Sequence, residues 1–150
     1  MRTLMRRMAL TASLGAMLIG GTLVHAATAL PDVHRTGPVE YLSGGVGLDE
    51  SRAIESAGRQ WPLTLEFAAR DGQHADFLAD VKVRVRDATG QDALEATSDG
   101  PFLLARLPPG AYIVDATLGG RTLRQNVVIR PHQPAKALFV WPADAAPDRS

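Results

Sequence analysis

Apolar and polar residues alternate most clearly along Val81-Lys82-Val83-Arg84-Val85-Arg86, where valines and cations take turns. Successive strand residues point to opposite faces of a sheet, so this period of two predicts a strand with its valines in a core and Lys82, Arg84 and Arg86 in a row outside. The same alternation runs through Leu63, Leu65, Phe67 and Ala69 against Thr64, Glu66 and Arg70, and predicts a half-buried strand there. It returns at Tyr112, Val114, Ala116 and Leu118, and then at Leu123, Val127 and Ile129 beyond Gly119-Gly120, a pair suited to a two-residue hairpin turn. Phe102 to Leu107 is almost continuously apolar, which predicts a strand buried between layers. Shorter strands are expected at Val39–Ser43 and Leu94–Ser98, and a final one at Ala135–Trp141.

Turn residues divide these runs: Asp87-Ala88-Thr89-Gly90, Asp99-Gly100, Pro108-Pro109-Gly110 and Pro131-His132-Gln133-Pro134. Two prolines fix φ and remove backbone donors, so the Pro-Pro-Gly segment stops one strand before the next begins. Seven or eight short strands at regular spacing predict an all-β sandwich. One helix interrupts the pattern near the N-terminus. Gly44-Gly45-Val46-Gly47 breaks the first strand, Asp49 is the expected N-cap, Glu50 to Ala57 the helix, and Gly58 its terminator. Leu48, Ala53, Ile54 and Ala57 make its apolar side, which must lie on the sheet or across an open end of it, because so short a helix does not stand alone.

The first 26 residues follow other rules. Arg2, Arg6 and Arg7 precede an apolar run from Met8 to Val24, and Val24-His25-Ala26 supplies a cleavage motif. These are the parts of an export signal, expected to be cut after Ala26 rather than kept as a membrane span, since the run is broken by glycines. The twin Arg6-Arg7 leaves general secretory and twin-arginine export both open. The expected organisation is a signal peptide over residues 1–26, a flexible lead-in over 27–38, a β domain over 39–142 and a polar, disordered tail over 143–150. A periplasmic or secreted bacterial location follows from that signal.

Composition narrows the chemistry. With 0 cysteines, disulfides, thiolate metal sites and cysteine nucleophiles are excluded. Setting aside the three arginines of the signal leaves 13 basic residues against 16 acidic, the wrong balance for nonspecific nucleic-acid binding. A phosphate-cradling role for Gly44 to Gly47 is opposed by Asp49 and Glu50 at the helix start. Ser43, followed by Gly44-Gly45, is the nearest approach to a nucleophile elbow, and no Gly-x-Ser-x-Gly motif occurs. Asp49 and Glu50 are adjacent, whereas glycoside hydrolysis needs carboxylates opposed across a cleft. Asp71, His74, Asp76 and Asp80 could hold a metal in principle, but the spacing matches no calcium loop and a solvated acidic loop is the simpler reading. The cationic row Lys82, Arg84, Arg86 could meet an anionic polymer or acidic partner, or could be neutralised across the sheet by Glu66. Trp61, Tyr112 and Trp141 could stack on a sugar if exposed, with packing as the default.

The stretch from Val81 through Asp87 and Gly90, Thr97 to Phe102, and Leu107-Pro108-Pro109-Gly110-Ala111-Tyr112-Ile113-Val114 resembles the carboxypeptidase regulatory-like domain, a transthyretin-like (prealbumin-like) β-sandwich. The resemblance spans about residues 79–130 and implies a seven- or eight-stranded sandwich of that type. The matching residues are scaffold, so it carries over no catalytic position, metal or cofactor. The chain also lacks a His-x-x-Glu ligand pair around His34, His74 or His132. The function expected is therefore a non-catalytic binding or structural module of the cell envelope. It would contact a protein or polymer through loops or a sheet edge, with Lys82, Arg84, Arg86, Asp49 and Glu50 as the residues to watch. The other reading is a small hydrolase using the loop histidines His74 and His132. Oligomeric state is left open, although a sandwich keeps edges that could pair.

Overall fold

The computed structural model describes residues 29–71 and 74–145, so the expected signal peptide and the end of the tail lie outside the described residues. The elements run β1 (His34–Thr36), β2 (Val39–Gly44), α1 (Leu48–Ala57), a 3-10 turn (Gly58–Gln60), β3 (Leu63–Asp71) and β4 (His74–Phe77). They continue with β5 (Lys82–Asp87), β6 (Asp92–Thr97), β7 (Phe102–Arg106), β8 (Gly110–Leu118), β9 (Arg121–Ile129), β10 (Ala135–Pro142) and a last 3-10 turn (Ala143–Ala145). The chain is mostly β, in two sheets with one short helix. Ten described strands stand where seven or eight are expected. The additions include β1, three residues inside the expected lead-in, and β4, inside the expected acidic loop. Both owe their conformation to the neighbour they pair with, β2 and β3 respectively, and neither has an alternation of its own.

One sheet has the order β1-β2-β7-β3-β10, with β4 also on β3, and the other has the order β6-β5-β8-β9. Strand β3 has three partners in the first. One of its edges pairs in parallel with β10 from Leu63 to Arg70. The other is shared between β7, which takes Leu63 to Glu66, and β4, which takes Ala68 to Asp71. The sheets close on a core of alternating residues: Val81, Val83, Val85, Val114 and Ala116 from one side, and Leu63, Leu65, Phe67, Leu103, Phe139 and Trp141 from the other.

A second, smaller core lies on the outer face of the first sheet, where Leu42, Phe102 and Leu104 meet Ile54 of α1 and Trp61. This explains the unbroken apolar run of β7: Leu103 and Ala105 face the main core, while Phe102 and Leu104 face the helix layer. It also corrects the reading of β3 as half-buried, because Thr64 and Ala68 on its outer side are buried as well.

The turns follow their residue chemistry. Asp87 Oδ1 accepts the backbone N–H groups of Thr89 at 2.9 Å and Gln91 at 3.1 Å, and Gly90 completes the turn. Gly119 and Gly120 both have positive φ, 56° and 76°, the pairing that a tight hairpin with right-handed strand twist demands. The Tyr112 hydroxyl donates to the Pro108 carbonyl at 2.7 Å, tying the start of β8 back over the Pro-Pro-Gly turn.

Two details of the helix differ from expectation. Asp49 is not the N-cap: α1 begins two residues earlier, at Leu48 behind Gly47, and no side chain caps it directly. Instead Glu50 reaches back to accept the Gly45 N–H at 2.7 Å, and the Ser51 hydroxyl donates to the Gly45 carbonyl at 2.7 Å. Gly58 does not end the helix in a left-handed turn either; it stays right-handed and leads into the 3-10 turn. Its value is space, since a Cβ there would stand 2.8 Å from Thr64 Oγ1.

Candidate functional site

The cationic row lies where the alternation puts it, on the outer face of the second sheet, with Val83 and Val85 beneath. Its neutralisation is local. Arg84 donates to both carboxylate oxygens of Asp92, at 2.7 and 2.8 Å, with Glu95 at 3.4 Å. Arg86 meets Asp115 at 2.8 Å, and Asp115 is also clasped by Arg124 at 2.6 Å. Glu66, the expected counter-charge, belongs to the other sheet and pairs with Lys136 at 2.8 Å. The strand neighbours decide this: β5 lies between β6 and β8, which place Glu95 and Asp115 opposite Arg84. Lys82 alone of the three has no ion pair among the described residues, so the row is a charge-matched lattice more than a free basic strip.

The lattice has a pH signature. The Arg124 guanidinium beside Asp115, seconded by Arg86, holds that carboxyl below the usual carboxylate range, and the Arg84 fork does the same to Asp92. A carboxyl with a lowered folded-state pKa contributes stability that is fully present above its unfolded value of about 4 and lost as pH falls through the folded value. Denaturation midpoints measured between about pH 6 and pH 2 should therefore fall on the acid side of about pH 4. Asp115→Asn should flatten that slope while lowering stability at neutral pH.

Asp49 and Glu50 are far from this face. They sit at the start of α1 on the outer side of the first sheet, so the sandwich separates them from Lys82, Arg84 and Arg86, and the two sets do not form one site. Glu50 is occupied in holding Gly45. Beside it Val46 and Leu48 are exposed and rim a hollow together with Phe77; Leu48 thus lies outside the apolar side predicted for the helix. Ser43 is buried, donates to the Phe102 carbonyl at 2.7 Å and accepts the Asp99 N–H at 2.9 Å. Its hydroxyl is a brace between β2 and the loop before β7. Trp61, Tyr112 and Trp141 are all buried and offer no stacking platform. The side chains of Asp71 and His74, two of the four residues weighed for a metal, lie outside the described residues, and among those described no group of three histidine, aspartate or glutamate side chains is placed to hold a metal ion.

What the linear pattern does not single out is a cleft of about 430 Å³ at one end of the sandwich. It gathers Arg59 from the 3-10 turn, Arg106 from the end of β7, and Arg130 and His132 from the turn after β9. Trp61, Leu107 and Ile129 are its buried floor, and Pro62, Pro109, Pro131 and Pro134 stiffen its walls. Among the described residues, none lining it is acidic. The Arg106 guanidinium lies 4.1 Å above the Trp61 ring, and its Nε is 3.6 Å from Glu40, a residue also bonded to Arg35. Arg59 and Arg130 have no ion-pair partner among the described residues and are exposed. His132 holds a left-handed backbone, φ 58°, that sets it on the lip.

The cleft is assembled by tertiary contact from three segments distant in the chain, 59–62, 106–109 and 129–134, which is why no motif announces it. The signal that could have found it is the density of prolines in those segments, each of which also carries an arginine. His132 stands here beside Arg59, past the C-terminal end of α1, whereas Glu50 is at its N-terminal end, so these groups do not converge. In comparisons with known proteins, no family model matches the chain and no curated protein matches it.

Proposed function

We propose that the chain is an exported, non-catalytic binding module of the bacterial cell envelope that meets a protein or polymer through the loops at one end of its sandwich. The observation that carries this reading is the proline-walled cleft with Arg59, Arg106 and Arg130 around it and no acidic lining among the described residues. Rigid walls and preset charge lower the ordering cost of binding, which is what a recognition surface needs. The separation of His132 from Glu50, and the bracing role of Ser43, support binding over hydrolysis. A prealbumin-like fold is part of the same proposal. Its support is the two-sheet packing, the Leu107-Pro108-Pro109-Gly110 turn closed by Tyr112, and the β8–β9 hairpin that follows.

Site-specific crosslinking tests the reading. A photoreactive residue at Gln133, on the cleft, is expected to capture an envelope component in intact cells, while the same residue at Thr117, on the opposite sheet face, is not. Equal capture from both positions, or none from either, would count against the loop end as the contact. So would a hydrolytic activity that His132→Ala abolishes.

A further inference from the structure

We infer that the loop-end cleft is a binding site for a phosphate monoester, with Arg59 and Arg130 as its primary ligands and Arg106 as a positioned third. This rests on the reading of that end as the recognition surface and names the chemistry of what it recognises.

Three guanidinium groups brought to one cleft repel each other, and the chain elsewhere relieves such crowding with carboxylates. Arg84, Arg86 and Arg124 on the outer sheet face each have a carboxylate oxygen within 2.8 Å. In the cleft only Arg106 has one, and at 3.6 Å from a glutamate already bonded to Arg35. Arg59 and Arg130 stand without a counter-carboxylate among the described residues, over a floor of Trp61, Leu107 and Ile129 whose apolar surface strengthens any ionic contact made above it. Each guanidinium offers a planar fork of N–H donors matched to paired oxyanion oxygens.

Charge selects among oxyanions. Glu40 is shared with Arg35 and offsets Arg106 only in part, so the three cations leave at least two positive charges, and among the oxyanions a phosphate monoester, at about −1.5 to −2 near neutral pH, answers them best. A carboxylate or a phosphodiester brings a single negative charge and would leave one guanidinium uncompensated. The packing of Arg106 on Trp61 fixes one donor in advance, so the anion has two mobile side chains to order instead of three. The cleft opens to solvent, so the monoester can be borne on a small molecule or displayed on a lipid surface; the recognised group is the same.

Calorimetric titration of the processed chain tests this with inorganic phosphate and glycerol 1-phosphate as free ligands. Phosphatidylcholine vesicles with and without phosphatidic acid present the monoester on a surface, and acetate and dimethyl phosphate serve as monoanion controls. Saturable binding of at least one monoester probe is expected, weakening as salt is raised. The exposed pair Arg59→Gln/Arg130→Gln should weaken it by about tenfold or more, since each change removes charged hydrogen bonds. Lys82→Gln, on the other face, should leave it unchanged. Preference for phosphatidic acid vesicles assigns the group to a membrane lipid, and preference for glycerol 1-phosphate assigns it to a small ester; both support the site. Failure of every monoester probe to bind, equal binding of dimethyl phosphate or acetate, or indifference to Arg59→Gln/Arg130→Gln would overturn it. Capture from Gln133 without phosphate binding would leave the module reading standing and remove this one.

Discussion

Trp141→Ala is expected to destabilise the domain by about 3–5 kcal/mol, a large share of the roughly 5–15 kcal/mol that holds a domain of this size folded. The indole is fully buried between Phe67 and Phe139, with ring centroids 6.2 and 6.3 Å away, and those two phenylalanines are 5.9 Å from each other. Truncation removes the largest side chain of this aromatic cluster and leaves a cavity that strands β3 and β10, paired from Leu63 to Arg70, cannot easily collapse into. The indole N–H also donates to the Arg121 carbonyl at 3.1 Å. With the amide of Gln125 bonded to the Leu138 carbonyl at 2.5 Å, this ties the edge strand of one sheet to the edge strand of the other. Trp141→Phe separates the two contributions. It keeps most of the ring and loses the donor, and should cost about 1–2 kcal/mol. Urea denaturation of both variants makes the measurement, and a Trp141→Ala midpoint close to that of the parent would show that the sheets do not depend on this contact.

Gly100→Ala should cost about 2–3 kcal/mol, although it adds a single methyl group. A Cβ at position 100 would overlap the carbonyl oxygen of Gly44 and stand 2.5 Å from its carbonyl carbon and 3.1 Å from its Cα. These are main-chain atoms at the end of β2, held in register opposite Phe102 of β7, so they have no rotamer by which to withdraw. Relief requires moving β2 away from β7, which would also disturb the Ser43 hydroxyl bridging the Phe102 carbonyl and the Asp99 N–H. Faster hydrogen exchange at the amides of residues 99–104 should accompany the lost stability. Gly37→Ala is the comparison. Nothing lies within 4 Å of a Cβ there, and only the left-handed φ of 57° is penalised, at about 1 kcal/mol. If the two substitutions cost the same, close approach of the chains is not what keeps Gly100 small.

Much of the fold is legible in the amino-acid sequence, because alternation is a local property. Val81, Val83 and Val85 are buried, as are Tyr112, Val114, Ala116 and Leu118, since a strand has only two faces and the residue pattern says which is apolar. Turn chemistry is equally local: Asp87 with Gly90, and Gly119 with Gly120, encode their geometry within a few residues. The helix is legible in existence and less so in its ends. Gly47 in place of Asp49 at its start, and Gly58 as a space-maker for Thr64, depend on neighbours that are not adjacent in the chain.

The site residues divide in the same way. That Lys82, Arg84 and Arg86 share a face follows from the period of two. That Asp92, Glu95 and Asp115 neutralise most of that face, and Glu66 does not, follows from β5 lying between β6 and β8. Asp49 and Glu50 share no surface with the cationic row, because the sandwich puts its full thickness between them.

The sequence by itself therefore determined most of the strands and their core faces, the turns and the presence of one helix, because each depends on the chemistry of a few consecutive residues; β1 and β4 owe their conformation to the strands they pair with. Tertiary structure alone decided the parallel pairing of β3 with β10, the second small core under α1, and the meeting of Arg59, Arg106 and Arg130 at one end. These depend on which distant segments pack together, and that choice is made by the whole buried surface at once rather than by any local pattern.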